Sequence, residues 1–330
     1  MRSDGMRVCV TGGTGFLGTA LVRDLLARKV PVRVLARPSR RADLLETQGA
    51  EVVRGELGDP DCVARAVEGV DVVYHLAAKV DTPGSKADFL ETNVGGTERV
   101  LTACLRKGVG RMVYASSLAV YGPVPSGQRI DEDTPFDESP QLRDFYAQSK
   151  ILADQFVVTF ARKTALPITI VRPGIIYGPG KQLPVGLLGF TLGKTNFVFG
   201  NPNHRIPLNY VENLVDAMQL VAHSGEGQLR QFNIVDDDEL TLAEYHKVRT
   251  EMDKTVTHFF SGWPVLLPGL FAEAAIRVLP VGGSTRFSKH QLRRALQDRW
   301  YDTHRIREET GWAPKVPLKD ALYRTWKAGR

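Results

Sequence analysis

The chain has 330 residues, is 43% hydrophobic and carries a formal net charge of +6. This is the composition of an ordinary globular protein with room for a large core, which excludes the disordered and fibrous classes. Three cysteines without paired spacing and seven scattered histidines exclude a disulfide scaffold and a metal-ligand cluster, and point to a reducing, cytoplasmic setting.

Met6–Val10 reads as a short buried strand, and Gly15–Arg28 as an amphipathic helix with Phe16, Leu17, Leu21, Leu25 and Leu26 on one side. The N-terminal apolar run is that strand, too short for the core of a secretory signal. Between strand and helix lies a turn with Gly12, Gly15 and Gly18 at the spacing G-x-x-G-x-x-G. Gly12 allows the turn, Gly15 lets backbone approach a pyrophosphate, and Gly18 lets helix and strand pack closely. The helix start offers free N–H groups and a positive dipole end, so Gly12, Thr14, Gly15, Phe16, Leu17 and Gly18 are expected to hold a dinucleotide phosphate.

Strand–helix alternation follows. Val32–Ala36, Glu51–Arg54, Val70–Leu76, Arg111–Ala115 and Ile168–Val171 are short and rich in Val and Ile; helical stretches lie near Ala42–Gln48, Cys62–Val67 and Asp88–Lys107. This pattern predicts an α/β fold with a parallel, doubly wound sheet. The second strand ends Ala36-Arg37-Pro38-Ser39-Arg40-Arg41, with no carboxylate at its tip to grip a ribose 2′-hydroxyl. Arg37 there suits a 2′-phosphate, so NADP(H) is favoured over NAD(H).

Val113–Ser117 closes a strand at the edge where ligands bind in such sheets. Ser117 is expected to orient a substrate oxygen, and Ser116 to satisfy backbone groups. Tyr146 and Lys150, four residues apart, share one face of a helix reaching about Arg162. A free phenol has a pKa of about 10 and is a poor base at neutral pH. A neighbouring ammonium and an oxidised nicotinamide favour the phenolate, so Tyr146 would exchange the proton of an alcohol while hydride moves. Lys150 would also bind the cofactor ribose.

These segments, taken with Gly55–Asp59, His75–Ala78, Asn93–Thr97, Ser116–Gly122, Asp133–Pro135 and Val171–Pro179, resemble the extended short-chain dehydrogenases/reductases, the NAD-dependent epimerase/dehydratase family. The resemblance spans nearly the whole chain. It implies a Rossmann-type domain over residues 1–172, with a returning strand near 231–235, and a smaller, largely substrate-binding region over 173–330. It implies that Glu56 and Leu57 lie against the adenine, although the family more often has Asp at the position of Glu56. Ala77, Ala78 and Lys79 would line the cofactor, Asn93 would support the site, and Pro173 and Gly174 would approach the nicotinamide. Ser117, Tyr146 and Lys150 would be the catalytic set, and a homodimer the assembly.

Basic residues concentrate near Arg33–Arg41 and Arg286–Arg307 without the interleaved aromatics of a nucleic-acid module. A cofactor phosphate and a solvated face account for them, and no nucleic-acid partner is expected. Phe259–Ala272 is an uncharged stretch interrupted by Pro264 and Pro268, shorter than the about twenty residues of a spanning helix. It reads as a lid or core-packing helix, or else as an apolar substrate wall or a peripheral membrane contact. This apolar half resembles the 3β-hydroxysteroid dehydrogenase and dihydroflavonol reductase branch. The expected activity is interconversion of a secondary alcohol and a ketone on an apolar, steroid- or flavonoid-like small molecule. The alternatives are a nucleotide-sugar 4-epimerase or dehydratase with tightly bound NAD, for which Arg205, Arg286 and Arg293 would hold the diphosphate, and a non-catalytic cofactor sensor.

Overall fold

The structure is a computed structural model that describes residues 5–80, 82–125, 127–181, 183, 189–223, 227–237, 239–260 and 297–328. Its first half alternates strands β1 (Val8–Thr11), β2 (Val32–Ala36), β3 (Glu51–Arg54), β4 (Val72–His75) and β5 (Arg111–Ala115) with helices α1 (Phe16–Ala27), α2 (Arg40–Thr47), α3 (Pro60–Val67), α4 (Lys86–Leu90) and α5 (Gly96–Lys107). After β6 (Arg129–Ile130) come α6 (Phe145–Lys163), β7 (Ile168–Pro173), β8 (Ile175–Tyr177), β9 (Gly189–Leu192), β10 (Thr195–Phe199) and β11 (Leu208–Tyr210). The chain then forms α7 (Val211–His223), β12 (Leu229–Ile234), α8 (Leu242–Asp253), β13 (Val256–Phe260) and β14 (Trp300–Tyr301), with further helices at His304–Thr310 and Leu318–Lys327.

Seven strands form one parallel sheet in the order β12-β7-β5-β4-β1-β2-β3. Strands β1, β2, β4 and β7 are buried along their whole length, as expected where helices cover both faces. The edge strand β3 is exposed at both ends. On one face Leu21, Leu25 and Val22 of α1 pack with Leu214, Met218 and Val221 of α7, and on the other α3, α5 and α6 supply Val63, Val67, Leu101 and Val157. Strand order reverses between β4 and β1, which opens a crevice beyond the carboxyl ends of these strands.

The residues after β7 divide between the sheet and a smaller body. Strand β12 pairs with β7 and α7 packs on α1. The smaller body contains the β13-β10-β9 sheet and the parallel pair β11-β8. Its core joins Tyr177, Leu208 and Tyr210 to Tyr245 of α8 and to Ala321 and Leu322 of the last helix.

The stretch expected as one helix over Asp88–Lys107 is divided. A capping box of Ser85 and Asp88 starts α4, and a π-helical turn at Glu91–Gly95 separates it from α5. Of the apolar segment 259–272, only Phe259 and Phe260 are described, at the end of β13; the remainder, with Arg286 and Arg293, lies outside the described residues. Among the described residues no helix is long and apolar enough to cross a membrane, and no cluster of His, Cys, Asp or Glu has metal-ligating geometry.

Candidate active site

The turn after β1 is shaped by contact as well as by conformation. Gly12 has φ +75°, and a Cβ there would lie 2.6 Å from the backbone nitrogen of Ala77. A Cβ on Gly18 would stand 2.1 Å from the carbonyl oxygen of Gly12, so this glycine seats α1 against the turn itself rather than against the strand. Gly15 occupies the N-cap of α1 and no side chain caps the helix. The first N–H groups of α1, at Phe16 and Leu17, thus lie uncapped by a side chain at the positive end of the helix dipole, and the Thr14 carbonyl accepts from Arg41 Nη1 at 3.4 Å. This is a cradle that fits a dinucleotide pyrophosphate.

Around it the other expected cofactor residues are distributed unevenly. Arg37 is exposed at the end of β2, and Ser39 caps α2 by accepting from the Ala42 N–H. Arg33, from the same basic cluster, points away: its guanidinium pairs with Glu51 at 2.8 Å and donates to the carbonyls of Arg65, Ala66 and Glu68 at the end of α3. Its charge belongs to the scaffold. Glu56 is exposed, while Leu57 packs on Gly96 at the start of α5. Ala77, Ala78 and Lys79 continue from β4 along the crevice. The Lys79 ammonium rests over the ring of Phe89 at 5.5 Å, so this residue offers the crevice its backbone.

Asn93 is buried in the π-helical turn, which aims its side chain at two elements. Its amide oxygen accepts from Lys79 N at 2.6 Å, and its amide nitrogen donates to Lys79 O at 3.1 Å and to Ser149 Oγ of α6 at 2.8 Å. A π-turn displaces one residue inward relative to a regular helix, a feature common at functional sites. Pro173 ends β7, and the Gly174 N–H donates to Asn209 Oδ1 at 2.7 Å and to Ile234 O at 3.2 Å.

Helix α6 starts on Asp144, whose carboxylate accepts from the Ala147 N–H, so Tyr146 lies in its first turn. Lys150, one turn on, is buried, and its ammonium donates to Ala115 O at 2.7 Å and to Tyr114 Oη at 3.1 Å. Burial lowers its pKa to about 8, against the favourable charge of Asp154. Ser117 caps the short 3-10 turn Leu118–Val120, accepting from the Ala119 N–H at 3.1 Å. Its hydroxyl thus acts as an acceptor toward the backbone and keeps its proton to donate elsewhere. Ser116 does not serve the backbone as expected; it donates to Asp154 Oδ2 at 2.5 Å.

Arg143 joins the two halves of this arrangement. It forms a buried ion pair with Asp137 at 2.6 Å and donates to Ala119 O at 3.1 Å, which fastens the turn of Ser117 to the segment just before Tyr146. Behind them Arg172 makes a two-pronged pair with Asp154 at 2.9 and 3.0 Å and also donates to Tyr121 Oη and Gln231 Oε1. None of Arg143, Asp137, Asp154 or Arg172 is among the sequence-derived site residues. The available signal was an arginine within the apolar run of β7, since a charge buried on both faces of a sheet requires a partner.

Arg205, considered for a diphosphate, is occupied. It pairs with Asp298 at 2.6 Å and Glu239 at 3.0 Å and stacks on Trp300 at 4.4 Å.

Residues 8–234 match the model of the NAD-dependent epimerase/dehydratase family. A 2-alkyl-3-oxoalkanoate reductase of Stenotrophomonas maltophilia is 31% identical, the match covering 97% of this chain and 98% of that protein. A 3β-hydroxysteroid dehydrogenase/Δ5→4-isomerase of Mycobacterium tuberculosis is 35% identical over 66% of this chain and 60% of its own length. The solved structure of Thermus thermophilus UDP-glucose 4-epimerase in complex with NAD superposes with a TM-score of 0.70 at 24% identity, covering 98% of both chains. The last likeness concerns the fold. With the glycine cradle at β1, the crevice at the strand reversal and the match over two thirds of its length, the chain belongs to the NAD-dependent epimerase/dehydratase family and is an NAD-dependent enzyme of the short-chain dehydrogenase/reductase type.

Proposed function

We propose that this protein is a ketoreductase that uses NADPH to reduce the ketone of an apolar substrate, with branched 3-oxo acids as the first class to test. The observation that carries the reading is the buried Lys150 ammonium, fixed by Ala115 O one helical turn from Tyr146 and behind the turn of Ser117. The nicotinamide ring, when bound, supplies the hydride. Ser117 donates to the substrate oxygen and orients it. Tyr146 gives that oxygen a proton, and the charge of Lys150 stabilises the phenolate left behind. The third proton of the Lys150 ammonium is available to a ribose hydroxyl.

Reduction is favoured over dehydration by what the Ser117 turn carries. Eliminating water needs one group to take a carbon-bound proton and another to protonate the leaving hydroxyl; the turn runs Leu118-Ala119-Val120 and supplies neither. The engagement of Arg205 by two carboxylates and a tryptophan argues against a diphosphate at that point. The full-length similarity to a 2-alkyl-3-oxoalkanoate reductase supports an acyclic 3-oxo acid with an apolar branch.

NADPH preference rests on charge. Asp43 and Glu46, the carboxylates of α2, are held by Arg54 at 2.9 and 2.7 Å, which leaves Arg37, Arg40 and Arg41 as a net positive group around the end of β2. The purified protein is to be assayed for bound nucleotide, then for NADPH and NADH oxidation with 2-alkyl-3-oxoalkanoates and with cyclic ketones. Turnover faster with NADPH is expected, and Arg37→Glu should weaken NADPH by about tenfold or more, equivalent to 1.4 kcal/mol per decade, while sparing NADH. Firmly held NAD⁺ that does not exchange, with no net oxidation of NADPH, would overturn the reading in favour of an epimerase.

A further inference from the structure

Beneath Lys150 runs a buried polar chain that the reaction outlined above does not use. Sheet register creates it: Thr11 of β1 lies beside His75 of β4, and His75 beside Tyr114 of β5, all at the carboxyl ends of their strands. Thr97 of α5 closes the group from above the sheet, 2.9 Å from His75 Nε2. Thr11, His75, Thr97 and Tyr114 are all essentially without solvent exposure.

The directions of these hydrogen bonds follow from one charge. An ammonium has three protons and no lone pair, so the oxygen of Tyr114 must accept from Lys150, and its own proton must go elsewhere. Thr97 is a hydrogen-bond partner of that phenol. The Thr97 hydroxyl gives its proton to Asn93 O at 2.7 Å, so it accepts from His75 as well. His75 therefore carries its proton on Nε2, and Nδ1 accepts from the Thr11 hydroxyl at 2.6 Å. Thr11 in turn accepts from the Ala77 N–H at 3.4 Å. Thr11 immediately precedes Gly12 and Ala77 packs on it, so the chain begins at the lysine and ends at the phosphate-binding turn.

We propose that Tyr114 is the positioning residue of Lys150: its ring stacks on His75, and its phenolic oxygen accepts from the lysine and favours the charged form.

The charges around Lys150 are consistent with this arrangement. Asp154, one turn along α6, favours the ammonium but shares its oxygens with Ser116 and Arg172. His75 is pushed down to about pKa 3 by burial and by the lysine itself, and so stays neutral. Burial and the nearby Asp154 and Tyr146 push the Tyr114 phenol well above its ordinary range, against smaller opposing effects of the Thr97 hydrogen bond and of Arg172. A neutral lysine would still donate to Ala115 O and Tyr114 Oη with its two protons, but both bonds are stronger from a charged donor, which favours the ammonium. The ring of Tyr114 also faces the ammonium, 4.6 Å from its centroid, and stacks on His75 at 5.7 Å.

Tyr114→Phe keeps the ring and removes the hydroxyl. This inference rests on the assignment of Lys150 and Tyr146 above, so three variants are compared: Tyr114→Phe, Thr97→Val and Tyr146→Phe. For each, kcat/KM with the best ketone and, independently, the Kd of NADPH by fluorescence are followed from pH 6 to 10. In Tyr114→Phe the alkaline limb of both profiles is expected to move down by about one pH unit, a tenfold loss on that limb, with near-parental values at pH 6. Thr97→Val, which removes the hydroxyl shared by the phenol and His75, should move it in the same direction by less. A uniform loss at every pH means that the hydroxyl only fills space, and overturns the proposal. If Tyr114→Phe fails to fold, an unmoved limb in Thr97→Val overturns it equally. Substantial turnover in Tyr146→Phe would remove the underlying assignment; an inactive Tyr146→Phe beside an unmoved limb in Tyr114→Phe would remove this inference alone.

Discussion

Tyr146 and Ser117 enter the site from opposite directions, one in the first turn of a helix and the other capping a short turn after a strand. Neither is positioned by its own element alone. Arg143 holds the two segments through Ala119 O and Asp137, so the separation of the proposed proton donor and carbonyl orienter is set by a third side chain. On the proposed roles, in which the phenol serves the chemistry and the cradle the affinity, Tyr146→Phe is expected to lower kcat by about 100-fold or more, the ordinary contribution of a general acid. NADPH affinity should stay within a factor of about two. A stopped-flow or steady-state assay at saturating NADPH, with a parallel binding titration, checks both; retained turnover would displace Tyr146 from its role.

At the scale of elements, the π-helical turn between α4 and α5 is a connector. It brings Asn93 out of helical register, where the amide can reach both the Lys79 backbone after β4 and Ser149 on α6. Replacement of Asn93 by alanine removes three hydrogen bonds and leaves the half-buried Lys79 backbone without these partners, a loss of about 1–3 kcal/mol for an unsatisfied polar group. The expected result is a lower melting temperature together with weaker dinucleotide binding, since the Ala77–Lys79 segment lines the crevice. Thermal melts with and without NADPH measure the two effects, and unchanged values for both would contradict this role.

Much of this level was readable beforehand. Strands Val32–Ala36 and Arg111–Ala115 fall where their apolar runs placed them, because strands covered on both faces have little freedom to be polar, and the exposed edge strand Glu51–Arg54 falls where its Val52-Val53 centre placed it. The division at Glu91–Gly95 was not readable: a π-turn keeps helical composition, and a single inserted residue leaves the apolar spacing almost intact. Of the site, the glycines and the Tyr146–Lys150 spacing are local patterns and so are visible in a string of letters. The partners of Lys150 depend on sheet register, and those of Arg172 come from segments as distant as Gln231, so no local pattern carries them. Ser116 was read as serving the backbone because its neighbour Asp154 is remote in sequence.

On the scale of the molecule, Arg172 is the point where the cofactor sheet meets its surroundings. It binds Asp154 of α6, Gln231 of β12 and Tyr121, which itself donates to Asn233. Arg172→Met would leave Asp154 charged and buried with only Ser116 as a partner. A loss of about 3–5 kcal/mol is expected from breaking one half of a buried pair, read as a fall in the urea midpoint. Arg172→Lys should recover only part, because one ammonium cannot reproduce the two-pronged contact.

The same sheet has a temporal consequence. Ile306 and Trp312 sit in one core with Val8, Val10 and Leu21, and α7 covers α1. Side chains from the first strand therefore wait for partners more than 290 positions later, as the numbering in the sequence shows. The core around the first strand is completed only when the segment near 306–312 is available to it. Its long-range closure is slow and leaves apolar surface open during synthesis. A chain cut before Ile306 is expected to leave the core around the first strand incomplete, and so to hold the glycine turn less firmly.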